Sequence, residues 1–303
     1  MIIFENGQKK EEKLIKEFNE NNQYVCLFSL NEFNNIDYRN DVKEKILYEF
    51  SKKHHMHSKF EHQSDYDLIL LNIPRQLQRE NNVSAINFCI SKNLLLIVYV
   101  PWESDKFENL VSQNIKTSAR ANLVYLLDIF TKDDMLTLQK IETKVTDLED
   151  TLMTTYKDEY IKKIIVLRKE LLALKSYYEE AMDIFDELNE NENSFLSDDE
   201  LRRSKNIDNR VNRLYRSVLN LRDYVTQVRE AYQSQADIKL NDVMKIFTVV
   251  TSIFLPLSLI AGWYGMNLKM PEVKWNYSYP VIIVLSIIVV IICISIFKRK
   301  KWF

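Results

Sequence analysis

The sequence predicts an α+β membrane protein: an N-terminal cytoplasmic α/β domain, long coiled-coil-like stalk helices and two C-terminal transmembrane helices. Three observations carry this. Apolar runs of strand length gather before residue 130. Beyond them apolar residues recur at spacings of three and four, with no proline between Pro101 and Pro256. Near the C-terminus, the eighteen residues Ile246 to Trp263 and the twenty-two residues Asn276 to Phe297 carry no charge. Each run matches the ~20 residues a helix needs to cross a bilayer.

In chain order, the predicted strands are Met1–Phe4, Tyr24–Leu30, Leu68–Ile73, Ala85–Ile90 and Leu94–Val100. Ser91-Lys92-Asn93 is a hairpin connection between the last two, and Pro101 ends the second of them. Helices are expected over Val42–Lys53 and Asp105–Ser118, with another opening near Ala119. The stalk pattern begins with Ile141, Val145, Leu148 and Leu152. It continues through Ile161, Ile164, Leu167, Leu171, Leu174, Tyr178, Met182 and Phe185. An acidic, Asn-rich turn follows between Asp183 and Glu200, with eight carboxylates and no base. Then Ile207, Val211, Leu214, Val218, Leu221, Val225, Val228 and Tyr232 alternate four and three, the signature of a helix along a supercoiled seam. With no breaker before the first span, Leu201 to Trp263 reads as one helix, about 95 Å long at 1.5 Å per residue. The expected division is 1–130 for the α/β domain, 131–242 for the stalk, 243–264 for the first span, 265–278 for an extracytoplasmic loop, 279–297 for the second span and 298–303 for a basic tail.

The flanks orient the spans. Lys298-Arg299-Lys300-Lys301 follows the second span at once, whereas the connection between spans has only Lys269, Glu272 and Lys274. The positive-inside rule then puts both termini in the cytoplasm of a multi-pass protein of the cell (inner) membrane. Trp263, Trp275 and Trp302 fall where interfacial aromatic belts form. Cys26, Cys89 and Cys293 are scattered, which fits a reducing compartment and no disulfide. Composition also excludes chemistry. The chain has three glycines, Gly7, Gly262 and Gly265, too few for a P-loop or a dinucleotide fingerprint. GxSxG, HExxH and CxxC do not occur. An enzyme is not expected, no nucleotide is required, and nucleic acid is not an expected partner.

Within the first span Asn241, Met244, Thr248, Ser252, Leu255, Ser258 and Gly262 share one helical face. Such a mildly polar stripe has two readings: small and hydroxylated residues mediate helix packing in membranes, or they line a narrow pore. Pro256 frees a backbone carbonyl, tolerable where it meets a cavity or a neighbouring helix. The second span is Ile/Val-rich and reads as the lipid-facing partner. One striped span cannot enclose a channel, so a pore requires several subunits.

Tyr264-Gly265-Met266-Asn267 closes the first span, and the tail ends Lys300-Lys301-Trp302-Phe303. Together with Asn241-Asp242-Val243-Met244-Lys245, Pro256-Leu257, Ile260-Ala261-Gly262, Met270-Pro271-Glu272 and Tyr279-Pro280, this resembles the CorA family of magnesium/cobalt transport proteins, whose signature is Gly-Met-Asn after the first membrane helix. The resemblance is specific over roughly the last 65 residues and architectural before them. It implies a homopentamer in membrane lipid with five copies of the first span around the pore. In that frame Asn267 forms a ring of amide carbonyls that selects the hydrated ion, Gly265 permits the turn presenting it, and Met266 packs in support. Asn241 matches the polar ring at the inner end. Met244 and Leu255 match hydrophobic constrictions, although the family often has Met at the latter position. Thr248, Ser258 and Gly262 complete the lining.

Physical chemistry agrees with these roles. Mg²⁺ sheds its water reluctantly, so a site reading the hydrated ion avoids that cost. The spans hold no Asp or Glu. Hydrophobic rings gate by dewetting. Influx driven by membrane potential gains about 4.6 kcal/mol per divalent ion at 100 mV. The expected cargo is Mg²⁺, with Co²⁺ or Ni²⁺ as further ions and Mg²⁺ also a candidate regulatory ligand.

His54, His55, His57 and His62, with Glu61 and Asp65 nearby, have spacing that accommodates Zn, Ni or Co; the alternative is a solvated loop between helix and strand. The acidic turn concentrates cations, attracts the basic tail, or is a solvated hairpin tip. Asp208, beside Asn206 and Asn209, is the candidate for regulation by intracellular Mg²⁺; its Asn-rich setting departs from the family's acidic pattern and points to weakened regulation. Two competing functions remain: a Zn²⁺ transporter of the same superfamily, and a non-conducting coiled-coil membrane tether or sensor.

Overall fold

The structure is a computed structural model that describes residues 1–10, 21–52, 57–81, 83–101, 104–154, 159–266, 275–300 and 302. It divides into two compact units, Met1–Val228 and Arg229–Phe303.

In the first unit, strands β1 (Ile2–Glu5), β2 (Gln8–Lys10), β3 (Tyr24–Ser29), β4 (Lys59–His62), β5 (Asp67–Asn72), β6 (Val83–Ile90) and β7 (Leu94–Pro101) form a seven-stranded sheet in the order β2-β1-β3-β7-β6-β5-β4. Only β3 and β7 pair in parallel. These two are the sheet's centre, and their near-continuous apolar sequence is what burial on both faces demands. Alternation sorts the faces. Cys26, Phe28, Ala85, Cys89, Leu96 and Val98 pack with Phe33 of α1 (Leu30–Asn34) and with Val42, Ile46 and Phe50 of α2 (Asn40–Ser51). On the opposite side Phe88 meets Phe130 of α5 (Ala119–Lys132), and Tyr99 meets Phe107 of α4 (Ser104–Gln113), with ring centroids 6.4 and 4.8 Å apart. Cys26 and Cys89 are free and buried. Burial pushes both thiols up, Cys89 to about 12, so neither is a ready thiolate.

Five expected strands are present, and two more appear. β2 exists because Asn6 and Gly7 adopt φ of 50° and 83° between the paired residues Glu5 and Gln8, a two-residue hairpin that needs left-handed backbone twice. β4 is the edge strand opposite β2, and it takes His62 out of the loop reading given above. A short helix α3 (Arg75–Asn81) precedes β6. The Ser29 side chain caps α1 and Glu32 returns the bond to the Ser29 backbone, a reciprocal capping box.

Three long helices follow: α6 (Asp134–Thr154), α7 (Glu159–Glu190) and α8 (Asp198–Tyr264). Ile141, Val145 and Leu148 of α6, and Ile207, Val211, Leu214, Val218, Leu221, Val225 and Val228 of α8, are all buried, as the heptad spacing requires. On α7 the buried row runs through Tyr160, Ile164, Leu167, Leu171 and Leu174, leaving Ile161 exposed. The acidic segment is mostly helical, because α7 continues to Glu190. The turn proper has left-handed Asn191 and Ser194, with φ of 51° and 52°. Asn191 clamps it by donating to the Leu196 carbonyl and accepting from the Leu196 amide, both at 2.9 Å.

Candidate ion pathway

The second unit contains the C-terminal part of α8 and α9 (Ser278–Arg299). Both helices are long and apolar enough to cross a membrane, with mean hydropathy of 2.0 and 3.3 over their best windows, and only 6% of either window is buried. An apolar hairpin in the core of a soluble protein would instead be mostly buried.

The side of α8 turned to α9 is identified by one contact. Pro256 has no N–H to give the carbonyl of Ser252 four residues earlier. The thiol of Cys293 on α9 donates to that carbonyl instead, at 3.7 Å. Val249 is buried, and Ser252, Ile253, Pro256, Leu257 and Ile260 are half-buried on the same side. The carbonyl that proline frees therefore meets a neighbouring helix. Cys293→Val is expected to lower the thermal midpoint by the equivalent of up to about 1 kcal/mol, and Cys293→Ser to recover it.

Asn241, Met244, Thr248, Leu255, Ser258 and Gly262 are all exposed; only Ser252 of the stripe is half-buried. At 100° per residue the stripe centres roughly a third of a turn from the side facing α9. Packing within the chain does not use it. Thr248 Oγ1 donates to the Met244 carbonyl at 2.8 Å, so this hydroxyl keeps its acceptor lone pairs outward. Met244 and Leu255 are 55% and 65% exposed, too much for side chains whose role is to fill the chain's own interior. At the inner end of the span Lys245 pairs with Asp242 at 2.9 Å, one turn from Asn241.

The two C-terminal glycines differ in kind. A Cβ on Gly262 meets, among the described residues and apart from its own helix backbone, no atom within 4 Å. A Cβ on Gly265 falls 2.8 Å from the Ala261 carbonyl oxygen, which also accepts the Gly265 amide at 2.8 Å. Gly265 does not use left-handed φ; of the three glycines only Gly7 does. Its requirement here is a close approach of backbone to backbone and not left-handed φ. Met266 follows, exposed, and Asn267 lies outside the described residues.

The remaining candidates are in the first unit. His54 and His55 lie outside the described residues. His57 Nδ1 is 2.8 Å from Glu180 of α7. His62 places Nδ1 2.9 Å from Asp67 and Nε2 3.3 Å from Glu192. Asn193 donates to Asp67 at 2.8 Å and to the Gln63 carbonyl at 2.9 Å. The acidic turn is thus tied to the β4–β5 hairpin, a link between residues 130 apart that no local pattern announces. Burial raises the Asp67 carboxyl, and the His62 and Asn193 bonds oppose that. Among the described residues, no three His, Cys, Asp or Glu side chains gather in a way that could hold a metal.

Asp208 is half-buried on α8 and accepts from Asn212 at 2.9 Å. Burial first, and the Asp186 charge of α7 second, raise its pKa; the Asn212 bond lowers it. A raised carboxyl favours the fold when protonated, and that contribution is lost as pH rises through the folded value. Asp208→Asn is therefore expected to raise the thermal midpoint at pH 7 and leave it unchanged at pH 3.

The family model described as "CorA-like Mg2+ transporter protein" matches residues 42–299. The chain belongs to this family. The cobalt/magnesium transport protein CorA of Thermotoga maritima is 28% identical over 181 residues, covering 59% of this chain and 52% of that protein. The chain thus spans about half the length of that relative. The cobalt/magnesium transport protein CorA of Methanocaldococcus jannaschii is 26% identical over 294 residues, covering 86% of this chain and 89% of its own. The complete structure of the CorA magnesium transporter from M. jannaschii superposes with a TM-score of 0.78 at 22% identity, over 100% of this chain and 98% of that one. A CorA fold accounts for the N-terminal α/β unit, the long helix and the two apolar C-terminal helices together.

Proposed function

We propose that this CorA-family chain is a channel-like transporter for influx of Mg²⁺, with Co²⁺ and Ni²⁺ as further cargo, driven by membrane potential. The observation that carries the reading is the placement of Gly265-Met266-Asn267 directly after a helix whose mildly polar face is left free by its own chain. In a homopentamer that face lines the pore. Asn267 oxygens read the hydrated ion, Met244 and Leu255 form hydrophobic constrictions, and Asn241 provides a polar ring at the inner end. Residues 1–130 and 131–242 are the cytoplasmic domain and stalk, 243–264 and 279–297 the spans, and both termini are cytoplasmic in the inner membrane. Asp208 carries no more than weak Mg²⁺ feedback, since its nearest polar partner is an amide of its own helix.

Uptake into liposomes with an imposed potential tests this. Mg²⁺ accumulation that follows the potential, with Co²⁺ and Ni²⁺ competing, is the expected result. Zn²⁺ transport dependent on a proton gradient, or no flux of any divalent ion, overturns it.

A further inference from the structure

A cleft of about 220 Å³ lies in the first unit between α5 and α8, apart from the spans and on the stretch of α8 that also carries Asp208. Lys116, Arg203 and Arg210 line it against one carboxylate, Asp128, with Tyr125 and Asn206 completing the polar wall. In a chain of formal net charge −2, this is a local reversal of sign. The cleft is also held in shape. Asn122, 1% exposed, accepts the Lys116 amide and donates to the Lys116 carbonyl, both at 2.7 Å. That clamp sets the Lys116 ammonium 4.7 Å from the Tyr125 ring centre. Arg210 is anchored by Asp128 at 2.8 Å and by Thr131 at 3.2 Å. Arg203, two turns earlier on the same helix face, has no partner among the described residues, and neither has Asn206.

We propose that this cleft binds a small phosphate-bearing anion, a di- or triphosphate group. Guanidinium forks match phosphate oxygens in pairs, and a lysine adds a point charge. The volume is below the ~300 Å³ at which sites for drug-sized ligands begin, so it fits the phosphates and not a whole nucleotide. An acidic segment of a second copy is the less suitable occupant, because the convergent groups sit in a recess and not on an open face. The site stands independently of the transport reading.

Isothermal titration of the full-length protein in detergent, in EDTA, with inorganic pyrophosphate tests it. One saturable site per chain is expected, weakened at least tenfold by Arg203→Glu and by Lys116→Glu. Arg203 is exposed, so its variant keeps the wild-type thermal midpoint and elution volume. Arg216→Glu, exposed on α8 outside the cleft, keeps full binding. ATP binding as tightly as pyrophosphate supports recognition of the phosphates alone; tighter ATP binding overturns the phosphate-only site. No saturable binding at millimolar pyrophosphate overturns the proposal, as does equal loss in Arg216→Glu, which means diffuse attraction to a basic helix. Absent binding with a changed elution volume in Arg203→Glu also overturns it, in favour of a second copy.

Discussion

Asn267→Ala is expected to lower potential-driven Mg²⁺ uptake by about 100-fold, equivalent to ~2.7 kcal/mol, without changing the size of the assembly. The spans supply no carboxylate, so in the proposed pore the Asn267 amide is the side-chain oxygen offered to a hydrated ion after the first span. Alanine removes the side-chain oxygen from every subunit at once, and the ion then enters only by shedding water it holds tightly. Uptake is read as initial rate in liposomes, and assembly as elution volume. Undiminished uptake sinks the selectivity role, and absence of flux in the parent protein as well leaves a tether or sensor.

Gly262→Phe is expected to keep the thermal midpoint of the protein and to reduce uptake by about 10- to 100-fold, or ~1.4–2.7 kcal/mol. The chain itself leaves the space beside Gly262 open, so a large side chain strains nothing within one copy. Its cost arises only where that face meets a pore or a neighbouring copy. Gly265→Ala is the contrasting variant. Its methyl group collides with the Ala261 carbonyl at 2.8 Å, so the helix end must shift, at a cost of about 1–3 kcal/mol in stability. Full uptake by Gly262→Phe removes the stripe from the pathway. A lowered midpoint in that variant means the face packs inside the chain.

Much of the architecture was legible because it is written in local periodicity. The buried row from Ile207 to Val228 follows from spacing alone, and α8 runs on from it through a stretch with no glycine or proline before Pro256, a residue that does not end the helix. β2 was not expected, although Asn6-Gly7 is among the strongest two-residue hairpin signals, because the strand after it is short and polar. β4 carried no such signal, since Lys59-Phe60-Glu61-His62 is a partly exposed edge strand whose only sheet neighbour is β5. Parallel pairing of β3 with β7 joins residues about 70 apart, and no spacing reports it.

The sequence by itself determined the class of molecule, the two apolar spans and the position of Gly265-Met266-Asn267, because length, charge-free runs and motif order are properties of the chain read in line. Three matters were decided only by the tertiary structure. One is which side of α8 meets α9, settled by the Cys293 thiol on the carbonyl that Pro256 frees. Another is that His62 ties the acidic turn to the sheet. The third is that Gly262 faces open space while Gly265 is crowded by backbone. Each depends on groups that meet across helices or on the path of the backbone in space, and a stripe of small residues reads the same whether a helix, an ion or a second subunit lies against it.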